Sequence, residues 1–110
     1  MLLLHLRDYE QAARSVAVLH QNAGAVIAVR YKDGRAALAH LETAHELDPS
    51  SSHVVWNLAR AAKLRAAEHR AERRHDLAES VLQRALSVVL DFKCRHPDAR
   101  GVEGGTLDDL

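Results

Sequence analysis

Apolar and polar residues alternate along this chain every three to four positions, the period of a helix and not the two-residue period of a half-buried strand. From Asp8 to about Gln21 the apolar positions are Tyr9, Ala12, Ala13, Val16 and Leu19. That spacing predicts an amphipathic helix capped by Asp8, with Gln11 three residues on. A second helix is expected from Asn22, as its cap, to about Tyr31, stopped by the turn-forming Lys32, Asp33 and Gly34. A third runs from about Gly34 to Leu47, with Ala37, Leu38, Leu41, Ala44 and His45 on one side. It stops sharply because Pro49 disfavours helical geometry at Asp48. Ser52 is the expected cap of the next helix, which reaches about His75. No Gly or Pro lies between Ser50 and Arg95. Apolar spacing nevertheless restarts at Leu77, Val81, Leu82, Ala85, Val88 and Val89, so a last helix is expected to begin at Asp76, in capping-box register with Glu79. Pro97 closes it. Residues 98–110, Gly-rich and acidic, read as a disordered tail on a domain spanning residues 1–97.

Composition sharpens the helical reading. Ala occurs 19 times and Leu 16 times in 110 residues, while Ile occurs once, Thr twice and aromatic residues four times. Strand formers other than Val are scarce, so the fold class is all-α. Short connections between helices imply antiparallel helical hairpins. The net charge is zero and there is one cysteine, Cys94, which excludes an intramolecular disulfide and any Cys-rich zinc motif. The apolar run at Leu2, Leu3 and Leu4 is shorter than a secretory core, and no window approaches a spanning helix. A cytoplasmic, non-membrane protein is the expectation.

The segment from Tyr31 to Pro49 carries a small residue at Ala37, a large one at Leu41, a small one at Ala44 and a terminating Pro49. In this register it resembles the second helix of a tetratricopeptide repeat. Leu58-Ala59 falls where the following first helix of such a repeat places a large and a small residue. Ala78, Leu82 and Ala85 repeat the second-helix spacing, and Ala12, Val16 and Leu19 repeat it loosely. The resemblance implies a short array of TPR-like hairpins in which small residues let helices approach closely. Ala78 follows Ala37 by 41 positions, against a repeat of about 34 in the family. A narrower similarity, Trp56-Asn57-Leu58-Ala59-Arg60-Ala61 followed by Leu82-Gln83-Arg84-Ala85-Leu86, is to the regulator-of-microtubule-dynamics proteins, which have a lengthened hairpin. An array read this way begins on a second helix. Leu2, Leu3, Leu4 and Leu6 would then form an apolar N-terminal end open to a partner or a second copy.

Chemistry is sparse. None of the eight histidines pairs with another at i, i+4, the spacing that places two ligands on one helix face. His69, Glu72 and Asp76 share a helical face but read as a solvated one. Cys94 near His96 lacks an orienting third group, and no glycine-rich loop is placed to hold phosphate. No enzyme, metal or cofactor is expected. Residues 60–74 stand apart, with six cations (Arg60, Lys63, Arg65, Arg70, Arg73 and Arg74) against Glu68 and Glu72. Arg60, Lys63, Arg70, Arg73 and Arg74 are the candidate partner-binding residues, facing an acidic segment such as a tubulin tail. No aromatic residue interleaves them, which argues against single-stranded nucleic acid as a partner. Trp56 is expected to be buried between hairpins. The functional expectation is a protein-interaction scaffold, with a microtubule-associated regulator and a small nucleic-acid-binding module as alternatives.

Overall fold

The computed structural model describes residues 2–98, with side chains from His5 onward, and contains four α-helices and no strand among those residues. Helix α1 spans Leu2–Val26 and passes into a π-helical turn, Ile27–Tyr31. Helices α2 (Gly34–Leu47), α3 (Ser52–Ala71) and α4 (His75–Arg95) follow through connections of two to four residues. Each helix packs antiparallel on its chain neighbour. Across α1 and α2, His20 meets His40 and Gly24 meets Leu41 and Ala37. Across α2 and α3, Ala44 clusters with Val54 while Gly34 lies against Arg65. Across α3 and α4, Val55 and Ala59 cluster with Val89 and Phe92.

One helix stands where two were expected. Asn22 does not cap and Asp8 does not start a helix; both lie inside α1. The physical reason is Gly24. Its low helix propensity signals a break, but a Cβ there would stand 2.7 Å from Leu41 Cγ. Glycine is what lets α1 lie close on α2, and packing outweighs the propensity cost. The segment 8–21 is therefore not the second helix of an earlier hairpin: α1 is the antiparallel partner of α2. The π turn ends at Lys32, which takes φ 50°.

The start of α2 is held twice. Asp33 accepts a hydrogen bond from Ala36 N at 3.1 Å, and Glu68 of α3 accepts one from Gly34 N at 2.7 Å. Arg65 holds Glu68 in place through a 3.1 Å ion pair. A carboxylate at a helix N-terminus is favoured by the free N–H groups and the helix dipole. Gly34 is buried against α3 so closely that a Cβ there would meet the Arg65 backbone at 2.7 Å.

Helix α3 starts one residue earlier than expected: Ser51, not Ser52, is its cap, accepting from Val54 N at 3.3 Å. Its far end is a Schellman turn. Arg73 N donates to Arg70 O at 2.9 Å and Arg74 N donates to His69 O at 2.7 Å, with Arg73 at φ 61°. This turn separates α3 from α4 without a glycine or proline. Asp76 lies in the first turn of α4 and is not its cap; Arg74 occupies that position without a side-chain hydrogen bond.

The core is built largely from small residues. Ala37, Leu41, Ala44, Leu58, Ala59, Ala78 and Ala85, all singled out by spacing, are buried, while Leu82 is half-buried and Pro49 is exposed in its turn. Alanines at 61, 62 and 66 bring α3 close to both neighbours. Trp56 departs from expectation: it is half-buried and belongs to none of the buried clusters. The proposed tail lies outside the described residues from position 99 onward.

Candidate interaction site

Helix α3 forms the floor of a cleft walled by α2 and α4. Leu38, Leu58, Ala62, Val81, Ala85 and Val88 supply apolar lining, and the cleft volume is about 190 Å³, room for one large apolar side chain. Glu42 and Glu46 stand on the α2 side and Arg84 on the α4 side, with His45 at the edge. His45 Nδ1 is buried with no hydrogen-bond partner. Burial pushes its imidazole below the ordinary value of 6.5, against an opposing pull from Asp91, Asp48 and Glu46. Burial thus favours the neutral form of the ring.

The basic segment divides into two groups. At 100° per residue, Arg60, Lys63 and Arg70 fall on one side of α3 outside its buried arc, Arg60 opposite the middle of that arc and Arg70 beside its edge. All three are exposed, and none forms an ion pair among the described residues. Arg73 and Arg74 do not continue that face, because both lie in the Schellman turn. Arg74 is 3.5 Å from Glu72, and Arg73 holds the left-handed position. Two of the five candidate cations therefore serve the turn, and three form the outward row. Trp56 lies on the same side of α3 by helical geometry.

No group of three or more His, Cys, Asp or Glu side chains is arranged to hold a metal among the described residues. His69 is buried inside α3, whereas Glu72 and Asp76 are exposed, so the three do not share a solvated face. Cys94 is exposed, and His96 stacks on Phe92 with centroids 4.6 Å apart. No described helix is long and apolar enough to cross a membrane. Comparison with known proteins returns no matching family, and no curated protein or solved structure with significant similarity to this chain.

Sequence spacing found the apolar floor of the cleft but not its rim. Glu42, Glu46 and Arg84 are ordinary helix-surface residues until α2 and α4 are placed on either side of α3. Nor did it separate the two apolar stripes of α1, because Tyr9, Ala12, Ala13, Val16 and Leu19 fit one amphipathic face, of which only Ala13 turns toward the interior. In the structure that face is largely exposed, and Ala17, Gly24 and the half-buried Ala13 and His20 turn inward instead.

Proposed function

We propose that this chain is a non-catalytic protein-interaction module of TPR-like helical hairpins, acting in the cytoplasm. The observation that carries this reading is the α2–α3–α4 cleft, an apolar concavity sized for one anchoring side chain and rimmed by charges of both signs. A short helical or extended segment with one large apolar residue fits such a surface. The test is selection of displayed peptides against the protein, followed by measurement on Val88→Trp, which fills the cleft from its rim. Selected peptides should lose at least about tenfold in affinity for the variant. Binders with undiminished affinity for Val88→Trp would remove the cleft from the reading.

A second reading, a microtubule-associated regulator, rests on the outward row of Arg60, Lys63 and Arg70. An acidic tubulin tail is its natural partner, and binding should weaken as salt screens exposed charge. Pelleting with microtubules at low salt, lost on Arg60→Glu with Arg70→Glu, supports it; no pelleting removes it. A small nucleic-acid-binding module ranks last, because three outward cations on a neutral chain contact few phosphates.

A further inference from the structure

Helix α1 uses little of its surface inside the molecule. Among its described side chains only Ala17 and Gly24 are buried. A second stripe runs beside that contact through Tyr9, Ala12, Val16, Leu19, Ala23 and Val26, with alternating steps of three and four residues. This is the a/d pattern of a coiled-coil seam. Tyr9 is 74%, Val16 42%, Leu19 68% and Val26 48% exposed, although no charged residue interrupts the stripe.

From this seam we infer that α1 pairs with α1 of a second copy of the chain, in antiparallel orientation about a two-fold axis between Val16 and Leu19. The seam is self-complementary in that register. Tyr9 faces Val26 of the second copy, Ala12 faces its Ala23, and Val16 faces its Leu19, so large residues meet large and small meet small on both sides of the axis. A two-fold interface requires this reciprocity. The uncharged Ser15 and Asn22 flank the centre and face each other across the pair.

Charge selects the orientation. A parallel pair would set Arg30 against Arg30 and Asp8 against Asp8, whereas the antiparallel pair brings Asp8 close to Arg30 of the other copy and opposes the helix dipoles favourably. Burying the stripe on both copies removes on the order of 1,000 Å² of surface, the lower bound for a specific interface. An interface at that lower bound belongs with weak dimers, and a Kd on the order of 10 µM is the expectation. The exposed leucines of α4 form a poorer seam: Leu86 and Leu90 are preceded by Glu79 and Gln83, which hydrogen-bond to each other at 3.2 Å. Since α1 contributes no residue to the α2–α3–α4 cleft, the dimer and the cleft reading stand or fall separately.

Sedimentation equilibrium of the full chain tests the pairing. Leu19→Glu, which enters the interface twice, should raise Kd at least about tenfold. Val18→Glu changes an exposed apolar residue on the other side of α1 and should leave Kd unchanged, as should Leu86→Glu on α4. A wild-type monomer at about 200 µM, well above that Kd, overturns the inference, and so does equal loss from Val18→Glu or Leu86→Glu. Orientation is read by oxidation on a Cys94→Ser background. Chains carrying Ala12→Cys should cross-link to chains carrying Ala23→Cys, and faster than to themselves. Preferential Ala12→Cys self-cross-linking overturns the antiparallel pairing. These alanine substitutions are small enough to leave the fold intact if the seam is absent.

Discussion

Helices α1 and α3 are both long, rich in Ala and amphipathic, yet they end up with opposite surfaces. Helix α3 buries Val54, Val55, Leu58, four alanines and His69 between α2 and α4, and turns Arg60, Lys63 and Arg70 outward. Helix α1 buries Ala17 and Gly24 and turns Tyr9, Leu19 and Val26 outward. The contrast shows that amphipathicity specifies a face for burial but not the neighbour that buries it. Helix α3 has partners on two sides within the chain. Helix α1 has one principal partner, and its buried contacts with that partner are made by Ala17 and Gly24, with the half-buried His20 against His40.

The largest expected effect probes this contrast directly. Leu41 is fully buried between α1 and α3, so Leu41→Ala should cost ~2–5 kcal/mol by denaturant unfolding. Leu19→Ala should cost under about 0.5 kcal/mol when measured at concentrations where the chain is monomeric. Comparable losses would mean that Leu19 is packed inside the chain and the two helices are alike.

Close approach comes next. Gly34→Ala and Ala44→Leu should each destabilise by ~1–3 kcal/mol, because the added atoms meet the Arg65 backbone in the first case and the Ala17–Val54 cluster in the second. Ala39→Leu, on the exposed side of α2, should be nearly silent. Equal effects at Ala44 and Ala39 would break the hairpin register.

A smaller effect is expected from pH. His45 has a folded-state pKa below its ordinary value of 6.5 because of burial, so the unfolded chain takes up the proton first. Its contribution is complete above about pH 6.5 and is lost as pH falls through the depressed folded value. His45→Gln should flatten this decline in the denaturation midpoint. A variant that loses stability as steeply as wild type would assign the dependence to other groups.

The smallest effect is a gain. Arg73 occupies the left-handed position of the Schellman turn, where glycine is preferred. Arg73→Gly should stabilise by roughly 0.5–1 kcal/mol in thermal or denaturant unfolding. A loss would show that the Arg73 side chain contributes more than its backbone strain costs.

The all-α class is legible in local pattern, because Ala and Leu at helical spacing, with strand formers other than Val scarce, leave no strand pattern. The same local reading located the stops at Pro49 and Pro97 and the small buried positions Ala37, Ala44, Ala78 and Ala85, since each follows from local stereochemistry or periodicity. The break expected at Asn22 is absent, and α4 begins one residue from the expected Asp76 but with Arg74 at its cap: cap chemistry is local, whereas Gly24 is held in α1 by Leu41 across the hairpin and the α3–α4 break is made by backbone hydrogen bonds around Arg73. Packing between helices sets which apolar stripe of α1 is inside, which three of five cations form a row, and which surface residues rim the cleft. All three depend on where a neighbouring helix or turn lies, and periodicity along one helix carries no information about that.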